Sequence, residues 1–290
     1  MKISNSLAAV AAFVLKKIPT HRNRKRFAKL VGPFFDGAVA NTAYGFPMIA
    51  RWHDNVNRIS FEGSYGIVAE FIQTLPKNTL FIDVGANQGC TAILAAKTLA
   101  GAGGGVVMAY EPSPTAYELM RKNIVLNNCT NIHTFQQAVA AAKADLFLDE
   151  ADRGNSGAAH VADTGSPIIA APVTVSDIRA VGPYDDIYVK IDTEGYEMSV
   201  LQGMQELFAA GLIRKLVIEI DDVNLNKFGT DSRQVYEFLS QHGFKNLYNV
   251  AGGLTGYSAA GYTKRCTVCQ NPHGSRFYSK VEEIKTHFKQ

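Results

Sequence analysis

The sequence predicts a doubly wound α/β domain with a mostly parallel sheet and helices on both faces. Short apolar runs alternate with helical stretches of about 10–15 residues from residue 79 onward, a pattern typical of βαβ units. The chain has 290 residues, of which 47% are hydrophobic and 19% are charged. This composition is ordinary for a globular protein, and the length allows a substantial core. We expect an N-terminal helical leader at residues 1–75 and the α/β domain at residues 76–290.

The elements of this domain follow from apolar runs and turn signals along the chain. The predicted strands are residues 79–84, 106–110, 132–135, 145–149, 168–175, 187–191, 215–220, 245–250 and 263–270. The predicted helices are residues 90–99, 114–127, 197–209 and 232–242. Residues 152–165 are rich in Gly, Ala and Asp and are predicted to be a loop.

The N-terminal segment combines an apolar run at residues 7–15 with a concentration of positive charge. Eight basic residues and no acidic residue precede Asp36, which leaves 21 basic and 26 acidic residues in the rest of the chain. The apolar run is too short to span a bilayer, which requires about 20 residues. Two interpretations stay open: a packed helix with a solvated face, or a helix that docks on an anionic surface such as phospholipid headgroups or a charged glycan.

Cysteine usage indicates a reducing compartment, and we expect a cytoplasmic protein that is at most peripheral to the membrane. Four cysteines, Cys90, Cys129, Cys266 and Cys269, are too few for a disulfide scaffold. The Cys266-x-x-Cys269 pair, with His273 beyond it, resembles half of a zinc site. A structural zinc site needs four ligands, and no second pair with matching spacing exists, so zinc is disfavoured.

The most informative segment is a glycine-containing turn between the strand at 79–84 and the helix that begins near Cys90. Its spacing is D-x-G-x-x-x-G, from Asp83 to Gly89, whereas a dinucleotide-binding turn reads G-x-G-x-x-G. A carboxylate at Asp83 would repel pyrophosphate but suits a cationic amino-acid ligand. The predicted cofactor-binding residues of this turn are Asp83, Gly85, Ala86, Asn87 and Gly89.

A second acid follows the next strand at the position where nucleosides bind in such sheets. Glu111 lies 22 residues after Gly89, at the carboxyl end of the strand at 106–110, and Pro112 follows it. A carboxylate at this edge can accept hydrogen bonds from both ribose hydroxyls. After the third strand, Gln137 and Ala138 lie where an adenine ring would bind, and Gln137 would hydrogen-bond the edge of that ring. The alternative is that these residues form an ordinary polar loop.

These residues resemble the FkbM family of methyltransferases, with a similarity that covers roughly residues 60–250. The matching segments are Asp-Val-Gly-Ala-Asn-x-Gly at 83–89, Glu-Pro-x-Pro at 111–114 with Asn123-Ile124, Lys-Ile-Asp-Thr-Glu-Gly-Tyr-Glu at 190–197, Val200-Leu201-x-Gly203 and Val-Ile-Glu-Ile at 217–220. The resemblance implies a Rossmann-like class I methyltransferase fold with a seven-stranded sheet whose last strand is antiparallel. It also implies S-adenosylmethionine as donor and O-methylation of a sugar, glycan or natural-product hydroxyl.

Candidate catalytic residues cluster after the strand at 187–191. Lys190, Asp192 and Glu194 alternate, so they share one face if the strand continues through them. Methyl transfer to a hydroxyl requires a positioned acceptor and removal of its proton. Asp192 is the first candidate for this role and Glu194 the second, whereas the structural alternatives are an anchor for the cofactor loop and a helix N-terminal carboxylate. His53 and His160 are further candidate bases.

A metal-assisted variant is a separate hypothesis. Asp192 ends one strand, and Asp221 and Asp222 end the next, so three carboxylates could hold Mg²⁺, which prefers oxygen ligands. The ion would lower the pKa of the acceptor hydroxyl. Adjacent surface acids without a metal are the alternative.

Two other function classes compete with methyl transfer. A nicotinamide-dependent oxidoreductase is disfavoured by the glycine spacing and by Asp83, and Tyr117 is followed four residues later by Arg121 instead of the lysine of short-chain reductases. A non-catalytic binding protein that retains the fold is also disfavoured, because the glycine turn at 83–89 and the acid at Asp192 are both intact. Nucleic acid is disfavoured as a partner because no basic groove with interleaved aromatic residues is visible. The oligomeric state is not predicted.

Overall fold

The computed structural model describes residues 5–150, 156–250 and 265–270. The α-helices are α1 (Asn5–Lys17), α2 (His21–Phe35), α3 (Asn55–Glu62), α4 (Ile67–Gln73), α5 (Cys90–Ala102), α6 (Pro114–Leu126), α7 (Val175–Ala180), α8 (Glu197–Gly203), α9 (Gln205–Ala209), α10 (Asp222–Leu225) and α11 (Ser232–Gln241). The β-strands are β1 (Val39–Asn41), β2 (Pro47–Ile49), β3 (Thr79–Val84), β4 (Gly105–Tyr110), β5 (Ile132–Phe135), β6 (Ala138–Val139), β7 (Ala144–Asp149), β8 (His160–Ala162), β9 (Ser166–Ala171), β10 (Asp186–Ile191), β11 (Ile213–Ile220), β12 (Lys245–Val250) and β13 (Arg265–Gln270). Among the helices of these described residues, none has the length and apolar character that crossing a bilayer requires.

The central sheet has the strand order β12-β13-β11-β10-β3-β4-β5. The five adjacent strands β11, β10, β3, β4 and β5 are parallel to one another. β13 lies between β11 and β12 and is antiparallel to both. The predicted α/β class with a mostly parallel sheet is therefore confirmed. A second, four-stranded sheet has the order β6-β9-β7-β8 and contains the strands predicted at 145–149 and 168–175.

Helices cover both faces of the central sheet, because successive side chains of a strand point to opposite faces. In β3, Phe81 packs in one apolar cluster with residues of α4 and α5. Leu80 and Ile82 pack in the other cluster, with residues of α8, α9 and α11. Every residue of β3 is buried, which explains why this strand is uniformly apolar except for Thr79 and Asp83.

The leader packs on the α5 side of the sheet and shares a continuous apolar cluster with it. Trp52 and Phe61 are buried in this cluster, with their rings 5.6 Å apart. Hydrogen bonds link the leader to α6: Asn123 Oδ1 accepts from Ile49 N at 2.9 Å, and Asn127 Nδ2 donates to the carbonyl of Pro47 at 2.7 Å. These two bonds fix the leader to the end of α6. The boundary at residue 75 stays a prediction.

Three predicted elements differ from the structure by more than a small shift of their ends. The helix predicted at 197–209 breaks at Met204 into α8 and α9. Gly203, the last residue of α8, lies so close to the backbone of Ala140 that a Cβ would clash with it. The strand predicted at 168–175 ends earlier, since Thr174 caps α7 through a capping box with Asp177. The predicted loop at 152–165 contains β8, which pairs with β7.

Candidate active site

The glycine turn after β3 has close contacts that only glycine permits. Gly85 has a φ of 77°, and a Cβ there would clash with the backbone oxygen of Asp192. The backbone N–H groups of Gly85 and Ala86 both donate to the carbonyl of Tyr110 at 3.0 Å. The turn therefore lies between the ends of β4 and β10, where ligands bind in open α/β sheets. We name residues 83–89 the donor turn.

Glu111 lies against this turn, and its carboxylate is oriented by two backbone groups. Oε2 accepts from Asn87 N at 2.7 Å, and Oε1 accepts from Ser113 N at 2.8 Å. Each carboxylate oxygen can accept about two hydrogen bonds, so each retains one position for a further donor. Burial raises the pKa of Glu111 to about 7, although the two backbone hydrogen bonds oppose the shift. The geometry suits acceptance of two hydroxyl groups.

This raised pKa predicts opposite pH effects on stability and on ligand binding. In the unfolded chain Glu111 loses its proton near pH 4.5, and in the folded chain it loses it near pH 7. The stability that this proton provides, of order 3 kcal/mol, is present below about pH 4.5 and is lost as the pH rises through about 7. Hydroxyl binding needs the ionised form, so S-adenosylhomocysteine affinity should fall as the pH drops below about 7. Thermal denaturation and calorimetry at about pH 5 and pH 8 test both effects, and Glu111→Gln should flatten both.

Asp83 and Lys190 form a buried ion pair, which corrects the predicted ligand role of Asp83. Asp83 is fully buried, accepts from Thr91 Oγ1 at 2.6 Å and lies 3.2 Å from Lys190 Nζ. A carboxylate enclosed in this way does not face the crevice. Lys190, predicted to be catalytic, is also buried and donates to the carbonyl of Gly85 at 2.7 Å. Burial lowers the pKa of Lys190, but the nearby carboxylates together outweigh this effect, so the pKa is raised. This pair fixes the donor turn to β10.

Three carboxylates converge at the ends of β10 and β11. Oxygen atoms of Asp192, Glu194 and Glu219 all lie within 4.8 Å of one another. Asp192 is also 3.8 Å from Lys190 Nζ, and its side chain is 38% exposed. Asp192 and Glu194 lie in the turn after β10 and not on the strand itself, so the predicted alternation does not explain their proximity. Glu219 was not predicted to be a site residue. The signal that could have identified it is an acid in the apolar second half of strand β11.

The turn at residues 192–195 is held by a buried carboxylate that follows it. Glu197 Oε1 accepts from Thr193 N at 3.0 Å, Thr193 Oγ1 at 3.0 Å and Gly195 N at 3.2 Å. Burial raises the pKa of Glu197, although these hydrogen bonds oppose the shift. On the other side, Asn224 Nδ2 donates to Glu194 Oε2 at 2.8 Å. Glu194 has a φ of 53°, an unusual conformation for a residue other than glycine. These contacts orient the turn that bears Asp192.

Glu197→Leu should therefore disorganise this turn, whereas Glu197→Gln should largely preserve it. Leu leaves the N–H groups of Thr193 and Gly195 without their acceptor, at about 1–3 kcal/mol each. The amide oxygen of Gln can replace Oε1. We expect turnover to fall by more than about tenfold in the Leu variant and by less than about threefold in the Gln variant. Affinity for S-adenosylhomocysteine should be unchanged in both, and equal turnover in the two variants would contradict this positioning role.

The predicted metal site is corrected in two of its three ligands. Asp221 Oδ1 caps α10 by accepting from Val223 N at 2.9 Å. Asp222 accepts from Ser232 N at 2.7 Å and from Ser232 Oγ at 3.1 Å. Both acids thus hold local turns. Within residues 5–150, 156–250 and 265–270, the group of carboxylates able to share a cation is Asp192, Glu194 and Glu219.

The predicted adenine-binding residues and the two candidate histidine bases lie in different parts of the fold. Gln137 is half-buried between β5 and β6. Ala138 is the first residue of strand β6, so it does not lie in a loop. His53 Nδ1 lies 3.0 Å from Asp36 Oδ1, and His160 pairs with Asp149 in the register of β7 and β8. His53 therefore links two parts of the leader.

The zinc hypothesis lies outside the described side chains. Cys266 and Cys269 belong to β13, of which the structure describes only the backbone. His273 lies outside the described residues.

Residues from distant parts of the chain also contact the donor turn. Ser156 Oγ lies 3.0 Å from Asn87 Oδ1 and accepts from Gln88 Nε2 at 3.1 Å. Ser156 N donates to Asp54 Oδ2 at 3.0 Å, and Asn57 Nδ2 donates to Gln88 Oε1 at 2.6 Å. The leader and the segment before β8 therefore meet at this turn, which the sequence did not indicate.

The fold and the site together define a class I methyltransferase: a mostly parallel sheet with a glycine turn and an acid at the ends of adjacent strands. The family model described as the methyltransferase FkbM domain matches residues 83–245. Because this match covers more than half of the chain, the chain belongs to the FkbM family of S-adenosylmethionine-dependent methyltransferases. No curated protein matches the chain significantly.

The solved structures to which the chain is similar are distant in sequence. TYW2 of M. jannaschii, in complex with AdoMet, is 14% identical, with 81% of this chain and 85% of that chain covered and a TM-score of 0.42. A SAM dependent methyltransferase from Aquifex aeolicus is 13% identical, with 75% and 94% covered and a TM-score of 0.42. A putative rRNA-methylase from Clostridium thermocellum is 12% identical, with 71% and 94% covered and a TM-score of 0.42. Similarity at this level carries no conclusion about the acceptor.

Proposed function

We propose that this protein transfers a methyl group from S-adenosylmethionine to a hydroxyl of a sugar, a glycan or a glycosylated natural product. The observation that carries the proposal is the convergence of Asp192, Glu194 and Glu219 next to the donor turn. A neutral hydroxyl must lose its proton during transfer, and a carboxylate beside it can accept that proton. The sugar class of acceptor rests on the resemblance to the FkbM family.

The chain's own residues fit the proposed cofactor. Glu111 has two oxygen atoms oriented by backbone N–H groups and able to accept two ribose hydroxyls. Gly85, Ala86, Asn87 and Gly89 form the turn beside it, and Gln137 and Ala138 begin the segment after β5, where we place adenine. When bound, S-adenosylmethionine supplies an activated methyl group on a sulfonium.

The catalytic roles divide between a proton acceptor and its supports. Asp192 is the carboxylate we assign to the acceptor hydroxyl, because its side chain is partly exposed while Glu219 is nearly buried. Lys190 holds Asp192 and the donor turn at one sheet edge through its contacts with Asp83 and Gly85. Glu194 shapes the same turn through Asn224.

The test is methylation with labelled S-adenosylmethionine and separate panels of glycosides, oligosaccharides, RNA and proteins. The proposal predicts label in a sugar hydroxyl, located by mass spectrometry of the released monosaccharides. Label in RNA or protein, or none with any sugar panel, would contradict the acceptor class. Chelator titration of the same reaction tests the Mg²⁺ hypothesis at Asp192, Glu194 and Glu219, since activity that EDTA abolishes and Mg²⁺ restores would assign an ion there.

A further inference from the structure

Helix α1 is apolar on two opposite sides. Small or buried residues face the protein: Ala8, Ala11, Ala12 and Leu15. Large apolar residues face outward, with exposures of 56% for Leu7, 61% for Val10, 63% for Phe13 and 40% for Val14. Their spacing of three and four residues places them on one side of the helix. A helix on a protein surface that faces only water carries polar residues on this side.

Helix α2 contacts α1 and exposes a basic side with an apolar edge. Its exposed basic residues are Arg22, Lys25, Arg26 and Lys29. Arg26, Leu30 and Phe34 follow one another at intervals of four residues, so they line up along the helix. Leu30 is 73% exposed and Phe34 is 65% exposed. We call the outward residues of α1 and α2 the N-terminal surface.

The N-terminal surface is attached firmly to the rest of the protein. Asn5 Oδ1 accepts from Val39 N at 3.0 Å, and Leu15 is fully buried in the cluster shared with α5. Arg24 is turned inward, because its Nε donates to the carbonyl of Ile18 at 2.7 Å. The basic side chains that remain outward therefore belong to a fixed surface and not to a loose terminal segment.

We propose that the N-terminal surface docks the protein on a bilayer that contains anionic lipids. Basic side chains match anionic headgroups, and Val10, Phe13 and their neighbours enter the boundary between headgroups and acyl chains, as in interfacial helices. A charged glycan or RNA would match the charge but would leave these large apolar side chains in water. A second copy would bring two strongly basic segments together. This inference is independent of the proposed methyl acceptor.

The test is sedimentation of the full chain with vesicles of phosphatidylcholine, alone or with about 30% phosphatidylserine. We expect binding to the anionic vesicles that weakens at high salt. Val10→Ser/Phe13→Ser should reduce it by about tenfold or more. Replacing Arg22, Lys25, Arg26 and Lys29 by Gln should reduce it by about two to three orders of magnitude. The control variant Lys122→Gln/Val125→Ser changes exposed residues of α6 and should bind like the wild type.

A second measurement separates insertion from attraction by charge alone. Phe13→Trp should show a blue-shifted emission on anionic vesicles that the wild type, whose Trp52 is buried, does not show. Absence of vesicle binding by folded protein would overturn the proposal. So would vesicle binding insensitive to Val10→Ser/Phe13→Ser, binding to heparin or RNA alone, or a dimer that this double variant dissolves.

Discussion

Asp192→Asn is expected to lower turnover by about 10²–10⁴-fold while leaving the affinity for S-adenosylhomocysteine within about threefold. Asn has nearly the shape of Asp but cannot accept a proton at neutral pH. The side chain of Asp192 is partly exposed beside the donor turn, and its backbone N–H donates to the carbonyl of Val84 at 3.2 Å. The substitution retains this backbone contact, so the donor turn should keep its shape.

The measurement is steady-state turnover with a hydroxyl acceptor that the wild type methylates, together with calorimetry for the donor site. Asp222→Asn is the matched control, because Asp222 also follows a neighbouring strand end but holds Ser232. That control should retain wild-type turnover. Undiminished turnover in Asp192→Asn would exclude Asp192 as proton acceptor, and Glu194 or Glu219 would then be the residue to substitute.

Lys190→Met is expected to destabilise the fold by about 3–5 kcal/mol, because it leaves the Asp83 carboxylate buried without its partner. Lys190 and Asp83 have side-chain exposures of 5% and 0%. The free energy of unfolding, measured with urea in the absence of ligand, should show this loss. The double variant Asp83→Asn/Lys190→Met should recover more than half of it, since a neutral amide costs less to bury than an unpaired carboxylate.

Lys122→Met provides the matched control for this experiment. Lys122 forms an ion pair with Glu118 at 2.7 Å, but both side chains are largely exposed. Its removal should leave the urea midpoint nearly unchanged. Equal effects of Lys190→Met and Lys122→Met would contradict the structural role of the buried pair.

Strands with strong local signals could be predicted from the sequence alone. β3 matches its predicted bounds, because it is a short apolar run that a glycine turn terminates. β5 also matches its predicted bounds, although only two of its four residues, Ile132 and Phe135, are apolar. The predicted FkbM resemblance and the mostly parallel α/β fold are confirmed. By contrast, α3 and α4 in the leader were not predicted individually, because their short lengths give few repeats of the helical period.

The candidate site was only partly predictable, since sequence position indicates the edge of the sheet but not which way each acid points. Glu111 lies against the donor turn because it directly follows β4. Asp83 is one strand position inside the edge, where alternation turns it toward Lys190 and away from the crevice. Asp222 is not part of the carboxylate group because it accepts a hydrogen bond from Ser232, ten residues later. No local sequence signal indicates this contact.

Calorimetry with S-adenosylhomocysteine on the wild type and on Glu111→Ala tests the central claim, that the donor turn and Glu111 form the methyl-donor site. We predict micromolar binding by the wild type and a loss of about 100-fold or more in the variant, because two hydrogen bonds to a charged acceptor are removed. Absence of binding by folded wild-type protein, or equal affinity in Glu111→Ala, would contradict the assignment of the donor site.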